Sequence, residues 1–327
     1  MNKNFFDNKI YDIFNKERDC SHGHLASYIP ELAKINPNLK ALSIITIDGE
    51  EINIGNYNYK FTIQSISKIF LLALALMDND EEKVFSKISV EPTGDPFNST
   101  LRLETNQKVF NPFINAGALA SASMIKGKNP KEKIERLKHF ISKFTESDNI
   151  DISNEIYESE YKTANKNRAI SYLLKSINVL ETDVEDNLSF YTMACSIILS
   201  TKDLAKAGLV LASGGINSQG ERIIPIKICK IMVALMTTCG MYDHSGSFAT
   251  SVGIPAKSGV SGGILGVVPK KMGICSFSPV ITEQGNSIIG VEIYIKIYLT
   301  FMNLIYSNHF RIIIFRRNIE RKKKFNF

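Results

Sequence analysis

Ser65-Ile66-Ser67-Lys68 stands at the head of an apolar run, Ile69-Phe-Leu-Leu-Ala-Leu-Ala-Leu-Met77. The run reads as a helix, and on a helix residues three apart share a face. The Ser65 hydroxyl and the Lys68 amine are therefore expected within proton-transfer reach, the arrangement that arms a weak nucleophile. At a helix start Ser65 would also meet unpaired backbone N–H groups and the positive end of the dipole, both favourable to a developing negative charge. Taken alone, S-x-x-K is a common tetrapeptide that also fits a plain helix start with a solvated lysine.

Lys257-Ser258-Gly259 raises the weight of that reading. It lies in Ile254-Pro-Ala-Lys-Ser-Gly-Val-Ser-Gly-Gly-Ile-Leu-Gly-Val-Val268, whose alternating apolar and glycine residues predict an edge strand, a tight turn at Gly262-Gly263 and a returning strand. An early S-x-x-K with a late strand-borne K-[ST]-G is the pairing of the penicillin-recognising serine hydrolases, in which that strand fixes the substrate beside the nucleophile.

Elements must hold these groups together, and the composition allows it. A chain of 327 residues, 44% hydrophobic and 22% charged, can bury a sizeable core as a soluble globular protein. The net charge of +6 is a property of one end: residues 311–327 hold seven of the 39 basic residues against one of the 33 acidic ones, which leaves 32 of each elsewhere. A solvated basic terminus is expected there, with no nucleic-acid or membrane partner beyond a weak role of that tail. Five cysteines, odd in number and never spaced C-x-x-C, predict neither a disulfide framework nor a zinc knuckle. His22 and His24 lack a third ligand, so no metal site is expected. Residues 1–10 lack a signal peptide's apolar core and cleavage site, and a cytoplasmic location is expected.

Along the chain, residues 41–47 and 50–54 flank Asp48-Gly49 as a β-hairpin. Helical patterning runs from Ser65 to about Met241, broken at Glu91-Pro-Thr-Gly-Asp-Pro96, Gly127-Lys-Asn-Pro130 and Gly214-Gly215. Strand character is read again from Ser247 to about Ile293. These elements predict an α+β fold, an antiparallel sheet from the N-terminal hairpin and C-terminal strands around a long helical insertion. The apolar stretch Tyr294–Tyr306 is interrupted by Lys296 and Asn303, too short for a membrane span.

Further blocks carry a resemblance over most of residues 23–291. They are Tyr28-Ile-Pro-Glu-Leu-Ala33, Gln64-Ser-Ile-Ser-Lys68, Glu91-Pro-Thr-Gly94, Asn111-Pro-Phe-Ile-Asn-Ala-Gly117, Ser159-Glu160 with Asn167-Arg168-Ala169, Tyr191 before Cys195-Ser196, Cys239-Gly-Met-Tyr-Asp243, Lys257-Ser-Gly-Val260 and Gly285-Asn-Ser287. With these, the chain resembles the bacterial serine-dependent glutaminases, which have the serine β-lactamase/transpeptidase-like fold. The resemblance implies hydrolysis of L-glutamine to L-glutamate and ammonia, no cofactor and no metal, and a homo-oligomer, dimer or tetramer.

Position by position, it implies that Ser65 is the nucleophile, Lys68 its general base and Tyr242 a proton relay. Tyr28, Asn115, Glu160, Asn167 and Tyr191 match the positions that hold substrate. Val260 matches the residue whose backbone N–H joins that of Ser65 in the oxyanion hole. The chemistry of the residues agrees: glutamine bears an ammonium and a carboxylate beside a neutral amide, so a selective site mixes Asn and Tyr donors with a carboxylate such as Glu160. Lys68 serves as a base only if burial, or a neighbouring cation such as Lys257, lowers its pKa.

The expected layout is an N-terminal helical extension over residues 1–22, a catalytic domain over 23–292 and an atypical basic tail over 293–327, where the sequence departs from the family's usual Leu- and Ser-rich ending. Two other readings fit parts of the chain. One is a β-lactamase or transpeptidase-like hydrolase, since Ser147-Asp148-Asn149 supplies a third motif of that group, although its polar setting reads as a loop. The other is an inactive glutaminase-like protein that binds through its basic tail.

Overall fold

In the computed structural model, which describes residues 3–16, 22–94 and 108–300, the hairpin at Asp48-Gly49 forms as expected. Strands β1 (Ala41–Thr46) and β2 (Glu51–Gly55) pair antiparallel, Ile45 lies opposite Glu51, and Gly49 turns the chain with φ +82°. Cys20, Asp95-Pro96 and the basic stretch 311–327 lie outside the described residues.

Three strands from the far end of the chain complete this sheet: β6 (Ala256–Ser258), β7 (Gly263–Val268) and β8 (Met272–Phe277). The order is β2-β1-β8-β7-β6, antiparallel throughout, with Ala41 opposite Phe277 and Thr46 opposite Met272. The strand that carries Lys257 is thus an edge, as its sequence predicts. Its turn into β7 closes with the Gly262 N–H donating to the Gly259 carbonyl at 2.9 Å. Gly262 has φ +103°, and a Cβ there would collide with the Ser278 carbonyl, so no other residue fits.

Helices cover both faces. On one, the helix Thr201–Ala212 lies across β1, β7 and β8, and Gly208 meets Gly273 so closely that a Cβ on either would strike the other's backbone. On the other, Ile10, Ile13 and Phe14 of α1 (Lys3–Lys16) pack with Leu42, Ile44 and Ile274 of the sheet. Residues 288–300 join that layer as a helix, through Ile293, Tyr294 and Ile297. Here the strand expectation fails: among the described residues the last strand ends at Phe277. The isoleucine-rich sequence looked extended, but Ile289, Ile293 and Ile297 recur every four residues on one helical face. Ser287 starts the helix, its Oγ accepting from the Gly290 N–H at 3.1 Å.

The insertion between the hairpin and the late strands is helical, as expected. Helices α2 (Ser67–Asp78), α3 (Glu81–Lys87), α4 (Asn115–Ser123), α5 (Pro130–Thr145), α6 (Asn154–Thr163), α7 (Asn165–Ser176) and α8 (Val184–Cys195) surround a second core. In chain order, α9 (Thr201–Ala212) is the helix on the large sheet; α10 (Ile226–Cys239), α11 (Ser245–Ser251) and α12 (residues 288–300) follow. A short sheet, β3 (Phe61–Thr62), β5 (Ile197–Leu199) and β4 (Asp151–Ile152), ties the insertion together. Every residue from Ser67 to Leu76 is buried, so α2 is apolar all round and runs through the centre of the molecule. No helix of the described residues is long and apolar enough to cross a membrane.

Candidate active site

Ser65 does not sit in the first turn of α2 but in a 3-10 turn, Gln64–Ile66, that leads directly into it. Gln64 has φ +47°, a left-handed backbone that a non-glycine residue adopts only when its surroundings enforce it. That kink brings the Ser65 side chain to the wall of a cavity of about 270 Å³. Tyr28, Gln64, Asn115, Glu160, Asn167, Tyr191 and Cys195 line the same cavity. Six positions expected to meet substrate or act as nucleophile therefore converge there, drawn from five separate segments.

Lys68 lies behind this wall and is fully buried. Its Nζ donates to Asn115 Oδ1 at 2.7 Å and to the Phe113 carbonyl at 3.0 Å. Asn115 in turn donates from Nδ2 to Asn167 Oδ1 at 2.8 Å. Asn115 is the first residue of α4, with Ile114 at the cap. It is the link between a buried amine and the cavity surface.

Tyr242 closes the site from the side of β6. Its hydroxyl donates to the Ser258 carbonyl at 3.2 Å and also meets the Ser65 side chain and the Val260 backbone N–H. Lys257 packs its Nζ over the Tyr242 ring, 4.5 Å from the centroid, and donates to the carbonyls of Ser258 at 2.6 Å and Gly240 at 3.1 Å. The S-x-x-K turn and the K-S-G strand are thereby joined through one phenol.

Enclosure sets the electrostatics. Burial lowers the Lys68 amine to about 8, with the nearby Cys195 and Glu160 groups opposing part of the drop. Burial raises the Glu160 carboxyl to about 7, opposed by the hydrogen bond from Gln64 Nε2 at 3.3 Å and by the charge of Lys68. Burial drives Lys257 well below the ordinary lysine value, and the Lys68 charge drives it further. Of two buried cations so close, Lys257 is the one that releases its proton first. The expectation that Lys257 depresses Lys68 is therefore reversed: desolvation alone lowers Lys68. Burial also raises the Tyr28, Tyr191 and Tyr242 phenols, so all three are donors at neutral pH. Tyr28 keeps more than half of its surface open, while its hydroxyl end is enclosed near Glu160.

Of the cavity residues without a role in the sequence reading, Gln64 and Cys195 bear most directly on the chemistry. Gln64 directly precedes Ser65 in the sequence, and only the left-handed turn reveals that its amide holds Glu160. Cys195 sits beside Ser67 Oγ at 3.7 Å, its thiol pushed up to about 12 by burial, which makes it an inert thiol rather than a rival nucleophile. Ser147-Asp148-Asn149 lies in the loop between α5 and β4, where Asp148 and Asn149 line a different surface hollow with Glu135 and His139. The third motif of the β-lactamase reading thus takes no part in this site.

A family model described as Glutaminase matches residues 23–305, past Val291, where the motif resemblance stops. The chain belongs to the glutaminase family. A glutaminase of Clostridium tetani is 51% identical over 289 residues, covering 87% of this chain and 94% of that protein. Glutaminase 2 of Clostridium perfringens is 47% identical over 294 residues, covering 89% and 95%. Among solved structures, the probable glutaminase from Bacillus subtilis complexed with 6-diazo-5-oxo-L-norleucine superposes with a TM-score of 0.80 at 36% identity, over 92% of this chain and 93% of that one. The chain shares with such neighbours the serine β-lactamase-like fold, its mixed helices and antiparallel sheet matching theirs.

Proposed function

We propose that the chain hydrolyses L-glutamine to L-glutamate and ammonia through a γ-glutamyl ester on Ser65. The observation that carries this reading is the cavity itself: a nucleophile, a carboxylate and neutral amide and phenol donors around a volume suited to a small amino acid. Lys68, neutral above about pH 8, takes the Ser65 proton through the buried side of the turn. Ser65 Oγ attacks the side-chain amide carbon, and the backbone N–H groups of Ser65 and Val260 receive the oxyanion. The carbon–nitrogen bond then breaks, and the nitrogen leaves as ammonia with a proton relayed by Tyr242. Water attacks the ester, releasing glutamate and restoring the serine. No electron or group carrier enters this balance.

Glu160 pairs with the substrate's ammonium, and Tyr28, Asn115, Asn167 and Tyr191 hold its amide and carboxylate. The Bacillus subtilis relative is solved with 6-diazo-5-oxo-L-norleucine, whose 5-oxo carbonyl corresponds to the amide carbonyl of glutamine, and this supports glutamine as the substrate. The same reading includes a cytoplasmic, cofactor-free homo-oligomer, with the catalytic domain over residues 23–292 flanked by a short helical extension and a basic tail. The test is ammonia release from glutamine by the chain and by Ser65→Ala. Loss of at least about a thousandfold in turnover is expected for a missing nucleophile. Substantial turnover by Ser65→Ala would overturn the assignment.

A further inference from the structure

The block Gly285-Asn286-Ser287 lies outside the cavity lining, yet it touches the machinery from behind. Asn286 is 1% exposed, and its Nδ2 donates to the Met241 carbonyl at 3.3 Å. The next residue, Tyr242, has φ +57°, a left-handed backbone in a bulky residue that isolated chains avoid. Ser245 holds the same pair from the opposite side, its Oγ accepting from the Met241 N–H at 3.0 Å and donating to the Tyr242 carbonyl at 2.7 Å. Gly285 itself has φ +88°. A Cβ placed on it would lie 3.3 Å from Val260 Cγ1 and 3.4 Å from the Tyr242 ring, so this turn is wedged between the phenol and the strand. The turn is in turn fixed by the Gly285 N–H donating to the Thr282 carbonyl at 2.8 Å and by Ser287, whose Oγ caps α12.

We propose that Asn286 is a positioning residue for Tyr242, its side-chain amide holding the Met241 carbonyl and with it the left-handed backbone that aims the phenol at Ser65. Strained conformations persist only where neighbours over-determine them. Asn286 and Ser245 are the side-chain straps that do so here, beside the His244 N–H, which donates to the same Met241 carbonyl at 3.2 Å. Removing one strap lets the 241–242 peptide relax and moves the hydroxyl away from Ser65 and Val260. The inference rests on Tyr242 being the proton relay, and it concerns turnover rather than substrate capture, because Asn286 does not line the cavity.

The experiment is steady-state glutamine hydrolysis by the full chain carrying Asn286→Ala, Asn286→Asp, Tyr242→Phe and Tyr242→Phe/Asn286→Ala, with thermal unfolding of each. Asn286→Asp keeps the shape but loses the donor. Both single variants at 286 should lower kcat about tenfold or more while KM moves by less than about threefold, the signature of a misplaced catalytic group. In the Tyr242→Phe background, Asn286→Ala should cost less than about twofold further, because its effect runs through the missing hydroxyl. Should Asn286→Ala fold poorly, Ser245→Ala, which cuts the other strap, should show the same split and the same non-additivity. Full multiplicative loss in the double variant, or a rise in KM with kcat intact, overturns the positioning role alone. Undiminished turnover by Tyr242→Phe overturns the relay reading and the inference with it.

Discussion

A lysine that in water keeps its proton to a pH of about 10.4 holds it here only to about 8, and a carboxyl that ordinarily ionises near 4.3 does so near 7. Both shifts follow from one cause, removal from water, and both carry a sign that activity can report. Lys68 acts as a base only when neutral, so kcat should climb as pH rises through about 8. Glu160 captures an ammonium only when ionised, so KM should fall as pH rises through about 7. In Glu160→Gln the pH dependence of KM below 8 should vanish while the climb in kcat remains; pH profiles of the two constants, measured separately, check this. A kcat profile flat from pH 6 to 9 would remove Lys68 from the role of base. Cys195 offers a contrast on the same wall: the burial that frees a proton from lysine locks one onto sulfur.

At the scale of elements, α12 decides how much of the chain the site needs. Tyr294 is fully buried, and its hydroxyl reaches the carbonyls of Ile264 at 3.1 Å and Ile274 at 3.0 Å, bridging β7 and β8. Tyr294→Phe should lower unfolding stability by about 1–3 kcal/mol in denaturant titration, leaving carbonyl groups without that donor. A chain cut after residue 300 should keep turnover per folded molecule. One cut near Val291 loses Ile293, Tyr294 and Ile297, at roughly 1.5–3 kcal/mol each for burial, and should fail to fold. Such a helix was hard to read because isoleucine favours strands and its period-four spacing, Ile289 to Ile297, covers only about two and a half turns. The hairpin, by contrast, was legible from Asp48-Gly49, and the β6–β7 turn from Gly262-Gly263, since both rest on local backbone demands. Ser65, Lys68, Lys257 and Tyr242 were legible as motifs. The network that ties them to the substrate positions was not: the bond from Lys68 to Asn115, or from Gln64 to Glu160, joins distant segments that no spacing rule relates.

For the whole molecule, enclosure of so many acidic protons makes alkaline pH hostile. Four buried thiols, those of Cys195, Cys229, Cys239 and Cys275, have pKa values raised by burial, to about 12 and about 11 for the first two. Between the unfolded thiol value of about 8.5 and those folded values, the native state binds more protons than the unfolded one, so stability falls as pH rises. The phenols of Tyr28, Tyr191, Tyr242 and Tyr294 act the same way above about 10. Lys68 and Lys257, lowered by burial, act oppositely below about 10.4 but are outnumbered. The melting temperature should therefore drop steadily from pH 9 to 11, and a rise over that range would show the thiols to be solvated. A different consequence follows from the central seat of β1 between β2 and β8. During synthesis β1 emerges early and its second partner comes last, so its apolar edge stays unpaired while the ribosome makes the whole helical insertion. At 5–20 residues per second that interval is on the order of 10 s or more, long enough for a neighbouring nascent chain to dock there instead. The serine turn is translated early, but it cannot become a nucleophile until the last strand threads into the gap the first strand has kept open.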